Sequence, residues 1–143
     1  MPETLDDELH QRITQLTGDG DAFAETGEYR KALALYAKAL DLVPEPIEDW
    51  EASTWILAAI GDSHFMLGDF QMARTALSDS MHCPGAIGNP FLHLRLGQSQ
   101  FEIGNEARAA DELMRAYMGA GPEIFEDEDE KYLTFLKTKA NGI

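Results

Sequence analysis

Apolar positions along this chain fall at the spacing that puts side chains on one face of a helix. Ala32, Tyr36 and Ala39 stand at i, i+4 and i+7. Ile47, Trp50, Thr54, Leu57 and Gly61 continue at helical spacing, and Phe125, Tyr132, Phe135 and Leu136 can form a further apolar stripe. A longer period is laid over this one. Gly20, Gly27 and Ala32 share their spacing with Gly61, Gly68 and Ala73, and again with Gly97, Gly104 and Ala109. Four residues after each Ala comes a large apolar residue (Tyr36, Leu77, Leu113), and three further on a small one (Ala39, Ser80, Ala116). Pro44, Pro84 and Pro122 close the units, which are offset by 41 and then 36 residues.

Each unit reads as a helix-turn-helix hairpin. Its first Gly lies inside an apolar helical pattern, where Gly is about 1 kcal/mol worse than Ala. A cost met three times implies a shared reason, the close approach of a second helix. The second Gly ends that helix as a residue able to adopt positive φ. Glu28-Tyr29, Asp69-Phe70 and Asn105-Glu106 then start the next helix, with Asp69 and Asn105 suited to the N-cap. One hairpin cannot bury its apolar face alone and must stack on its neighbours.

The units resemble the tetratricopeptide repeat, a unit of about 34 residues. Leu16, Gly20, Phe23, Ala32, Tyr36, Ala39 and Pro44 match that family in the first unit, with Asp19 departing. The second keeps Leu57, Ile60, Gly61, Ala73 and Leu77 but has His64 where an aromatic is usual; the third keeps Leu96, Gly97, Ala109, Leu113 and Ala116 but has His93 and Gln100 at usually apolar positions. The resemblance implies an all-α fold, a right-handed superhelical stack of antiparallel hairpins. Within one domain spanning 1–143 it implies an N-terminal helix extension (1–12), repeats at 13–46, 54–87 and 90–123, an insertion at 47–53, and a capping helix at 123–140. The insertion is expected to lengthen the first helix of unit two, which should run to about Leu67. The cap is expected as one helix from Gly121-Pro122 to Lys139, acidic early and basic late as the macrodipole favours. Its acidic run, Glu126 to Glu130, reads either as a solvated outer face, which is favoured, or as a partner-binding patch.

Charge narrows the partners. There are 26 Asp and Glu against 11 Lys and Arg, a formal charge of -15. Such a chain repels phosphate backbones and anionic lipid surfaces, which argues against nucleic acid and membranes and favours a basic protein partner. The acidic N-terminal stretch does not suit a signal peptide, and the apolar run from Ser53 to Gly61 is too short to span a bilayer. A cytoplasmic location is the simplest expectation, and the lone Cys83 fits a reducing compartment.

Candidate chemistry is thin. His10, His64, His82 and His93 are scattered, and none stands at metal-ligand spacing from another or from Cys83. Gly18-Asp19-Gly20-Asp21 lacks both a full calcium-loop spacing and a Walker lysine. No serine or cysteine stands in a known relation to a base. No cofactor, metal site or catalytic residue is expected, and the chain is not read as an enzyme.

The working surface is expected on the first helices, which line a concave groove in such stacks. Counting i, i+3, i+7 and i+10 brings Asp21 (after Thr14 and Thr17) to the groove in unit one, Trp55, Ala58, Asp62 and Phe65 in unit two, and Phe91, Leu94, Gln98 and Phe101 in unit three. Aromatic anchors with a few polar groups suit binding of a protein or peptide segment. Heat-shock chaperone adaptors of the family hold a terminal carboxylate with groove cations; the corresponding positions here carry none, which excludes that partner class. Three roles remain: an immunity-type protein neutralising a basic toxin, a type III secretion translocator-type chaperone with a client bearing an apolar segment, or a scaffold subunit. An incompletely capped stack could also pair as a homodimer.

Overall fold

The computed structural model describes residues 5–143. Among them are seven α-helices and no strand: α1 (Asp7–Glu25), α2 (Tyr29–Asp41), α3 (Glu51–Met66), α4 (Phe70–Ser80), α5 (Pro90–Glu102), α6 (Glu106–Ala120) and α7 (Glu130–Lys139). Helices α1–α2, α3–α4 and α5–α6 form three hairpins, and α2 on α3 and α4 on α5 join them into one stack. Part of the expected N-terminal extension, residues 1–4, lies outside the described residues.

Each hairpin closes at a glycine. A Cβ on Gly20 would stand 2.7 Å from the Tyr36 ring, one on Gly61 2.5 Å from Leu77, and one on Gly97 2.8 Å from Leu113. The recurring glycine therefore exists because the large residue of the second helix fills the space of a Cβ. Tyr36, Leu77 and Leu113 are buried there, flanked by buried Ala32, Ala73 and Ala109. The turn glycines Gly27, Gly68 and Gly104 adopt φ of 80°, 79° and 89°, a region that suits residues without Cβ.

The second helices begin where expected, but by a different mechanism. Asp69 and Asn105 occupy the N-cap positions without a side-chain capping bond. Asn105 instead donates from Nδ2 to Gln100 Oε1 (2.8 Å), and Asp69 lies 3.6 Å from His64 Nδ1. His93, an unusual residue for its position, is 3% exposed and satisfied on both nitrogens. Its Nε2 accepts from the Gly88 N–H (2.8 Å), so the neutral ring carries its proton on Nδ1, facing Glu112 at 2.5 Å. This histidine ties the α4–α5 loop to α6.

Two expected helices are shorter than their apolar pattern. The insertion extends α3 only by its last residues, 51–53: Ile47–Asp49 makes a separate 3-10 turn, Trp50 is extended, and α3 starts at Glu51 and ends at Met66. Trp50 packs on the α1–α2 core, which pulls the chain out of helix there. The cap is likewise divided, into a 3-10 turn over Pro122–Phe125 and α7 from Glu130. The acidic run between them is turned inward at Glu128, and Asp129 caps α7 by accepting from Lys131 N–H (2.9 Å).

Buried Tyr36 donates its hydroxyl to Asp21 Oδ1 (2.5 Å), and buried Tyr132 donates to Glu102 (3.1 Å). Burial, and then the adjacent carboxylate, pushes both phenols above the ordinary 10.0.

Two outcomes follow for stability. Gly18, in the same helix as Gly20, has open space where a Cβ would go. Gly18→Ala should therefore stabilise the fold by roughly 1 kcal/mol, whereas Gly20→Ala should lose about 1 to 3 kcal/mol to overpacking. Urea denaturation of the two variants measures this, and changes of the same sign would contradict it. The raised phenols predict stability that is fully present below pH 10, the unfolded tyrosine's value, and lost as pH rises past it, because the folded chain then holds protons the unfolded chain releases. A Tyr36→Phe, Tyr132→Phe double variant should show a shallower alkaline decline than the parent; equal slopes would rule out these two groups.

Candidate functional site

Helices α1, α3 and α5 share the inner face of the stack, and the expected groove residues divide there into two sets. Toward the N-terminal end, Asp21 and Trp55 line one cavity of about 250 Å³ between α1 and α3, together with Ile13, Thr17, Tyr36 and Ala59. Asp21 is exposed and Trp55 is 47% exposed. This half of the face is open.

The C-terminal half is filled by the chain's own last segment. Leu94 is 2% exposed, buried in a cluster with Phe125, Tyr132 and Leu136. Phe101 stacks on Phe135 of α7 (centroids 5.0 Å, planes 16° apart) and meets Tyr132 edge-on. Tyr132 reaches across to Phe65 of α3, with centroids 6.5 Å apart. Lys131 adds an ion pair to Glu102 (2.6 Å). Of the expected groove residues, Ala58, Leu94 and Gln98 are thus buried: Ala58 in the core beside Leu77 and Leu92, the other two beneath the C-terminal segment.

Between the halves stands Arg95, which the sequence reading passed over. Its Nε donates to Asp62 (2.6 Å), and its Nη1 donates to Glu128 (2.5 Å) and to Gln98 Oε1 (2.7 Å). Gln98 Nε2 donates in turn to Glu128 (2.7 Å). The guanidinium lies over Phe65 at 4.7 Å and Phe91 at 5.3 Å. Burial alone would lower the arginine's pKa, but Asp62 and Glu128 outweigh it and hold it above its ordinary value. Asp62, Phe65, Phe91 and Gln98 are therefore brought together, around a cation that no groove position in the repeat register contains. The expectation that the groove holds no cation is corrected: Arg95 stands one residue beyond Leu94, and its long side chain reaches the groove from there. The available signal was that Arg95 is the only lysine or arginine on α3 or α5, set in an otherwise uncharged stretch. Glu128 was missed because the acidic run was assigned to a solvated helix.

Other polar groups have local explanations. Cys83 is buried, and that burial pushes its thiol up. Among the described residues no group of three or more His, Cys, Asp and Glu side chains converges as a metal site, and no helix is long and apolar enough to cross a membrane.

Comparison with known proteins places this geometry. Residues 17–81 match the family model described as tetratricopeptide repeat. No curated protein matches the sequence. Similar solved structures include the C-terminal TPR-containing domain of a Plasmodium falciparum FK506-binding protein, with TM-score 0.73 and 16% identity over 95% of this chain and 91% of that one. The Yersinia enterocolitica type III secretion chaperone SycD, in complex with a peptide of the translocator YopD, has TM-score 0.68 and 16% identity over 88% and 90%. The first TPR of Spaghetti, bound to an HSP90 peptide, has TM-score 0.64 and 16% identity over 90% and 92%. At these identities the structures bear on the fold, and the family match bears on the repeats themselves. The fold is all-α and built of stacked helix hairpins of the tetratricopeptide-repeat kind, and residues 17–81 match the repeat family itself.

Proposed function

We propose that this protein is a non-catalytic interaction module that takes a basic segment of a partner protein on the open, N-terminal half of its inner face. The observation that carries this reading is Trp55, half exposed beside the carboxylate of Asp21 on a face whose other half is already occupied. Charge supports a basic partner. The chain carries -15, and the cation of the groove, Arg95, is outnumbered by Asp62 and Glu128. An acidic peptide would meet a face with no unpaired cation to receive it. A role in neutralising a basic toxin within the cytoplasm fits this chemistry.

The second reading is a chaperone for a secreted client. It is favoured by the likeness to SycD, which holds a translocator peptide. A scaffold subunit or a homodimer would use the same face. Salt separates these readings, because a partner held by charge weakens as salt rises and one held by apolar contact does not.

Partner capture from the native cells with tagged wild-type and Trp55→Glu protein tests the proposal. Trp55 is exposed enough to be replaced without disturbing the core. The expected result is one basic protein, lost at high salt and weakened roughly thirtyfold by the substitution. A partner unaffected by Trp55→Glu would overturn the assignment of this face, and one retained at high salt would favour the chaperone reading. Arg95, by contrast, is assigned to holding the fold. Arg95→Met should cost on the order of 3 kcal/mol of stability by leaving Asp62 and Glu128 without their shared cation, while changing partner affinity less than about threefold, within the range of a near-neutral contact. Calorimetric unfolding and a binding titration on the same variant check both halves.

A further inference from the structure

We propose that the cavity between α1 and α3 is a receiving pocket for one lysine or arginine side chain of the partner, with Asp21 as its counter-ion and Trp55 as its wall. The inference rests on the binding reading above and names the chemistry of its central contact.

Size sets the class of occupant. About 250 Å³ falls below the roughly 300–1,000 Å³ of pockets built for small-molecule ligands, and suits one long side chain entering from a partner. The walls fit the stem of such a side chain, with Ile13, Ile56, Ala59 and the Trp55 ring presenting apolar surface.

Hydrogen bonding sets the charge. The Tyr36 hydroxyl proton is committed to Asp21 Oδ1 (2.5 Å), and the Thr17 hydroxyl proton to the Thr14 carbonyl (3.0 Å). What these groups have left for the cavity is acceptors: the second oxygen of Asp21 and the lone pairs of Thr17. An occupant that reaches Asp21 and Thr17 meets these acceptors with donors, as an ammonium or guanidinium does, while the Thr14 hydroxyl, the Trp55 N–H and the His10 ring keep donors elsewhere in the lining. No lysine or arginine lines the cavity, and among the described residues Asp21 has no cation partner. His10 is the other titratable group of the lining. A cation over the exposed face of Trp55 gains further from the ring quadrupole.

The test uses the full chain and defined probes. A blocked pentapeptide with one Arg among alanines is titrated into isotopically labelled protein, beside the same peptide carrying citrulline, which has the same shape and no charge. The expected result is shift changes at Thr14, Thr17, Ala59 and the Trp55 indole, with the Arg peptide bound about tenfold more tightly than the citrulline one. Asp21→Asn should remove that preference; the asparagine retains an acceptor for Tyr36, so the fold survives. Equal binding of the two peptides, a preference that persists in Asp21→Asn, shifts confined to another face, or no shifts at all would overturn the proposal. If Trp55→Glu releases the native partner while the peptides show no charge preference, this pocket assignment falls and the interaction reading stands. If Trp55→Glu keeps the partner, that reading falls whatever the peptides do.

Discussion

Tyr36, Leu77 and Leu113 each push a bulky side chain into the space above a glycine on the facing helix, and the hairpins can close only because no Cβ stands in the way. This contact sets the distance within each pair. The pair spacing in turn lets α2 pack on α3 and α4 on α5, which carries α1, α3 and α5 onto one side of the stack. The first hairpin links this constraint to the candidate site. Its large residue is a tyrosine rather than a leucine, so the ring that fills the space over Gly20 also delivers a hydroxyl to Asp21. One side chain closes the first repeat and orients the carboxylate on its inner face.

The other end of that face is held differently. The C-terminal segment runs back over α5 and inserts Tyr132 and Phe135 among Phe65, Leu94 and Phe101, with Glu128 anchored on Arg95 and Gln98. An isolated surface ion pair would contribute little. Here the guanidinium lies over two phenyl rings and pairs with carboxylates from two other segments, so it ties α3, α5 and the approach to α7 together. Most apolar surface at this end is covered by the chain itself, with Phe91 left partly exposed, and the cavity that stays open on the face lies at the α1–α3 end.

The hairpins could be read from residues because their determinants are local. A glycine seven residues before another, followed by alanine and a large apolar residue, reports its neighbour's approach without knowledge of the rest of the chain. The inner face could be read only in part. Helical register placed Asp21, Trp55 and Phe91 on it, but register is blind to what covers a position, and Leu94 and Gln98 lie under a segment some thirty residues further on. Register also follows Cα positions and so skipped Arg95, whose side chain is long enough to arrive from the adjacent row. The acidic run is solvated as its charge pattern suggests except at Glu128, which turns in to the Arg95 guanidinium, a contact that the pattern does not encode. The Trp50 turn has the same cause, an apolar anchor drawn to the first hairpin's core against local helical spacing.

Hydrogen–deuterium exchange on the protein with and without its captured partner tests the division of the inner face most directly. A face occupied by its own C-terminal segment predicts slowed exchange along α1 and the facing turns of α3, with α7 and the Glu126–Asp129 stretch unchanged. Exchange that slows over α5, or that accelerates in α7 as the segment is displaced, would contradict it and place the partner where the chain's own tail now lies.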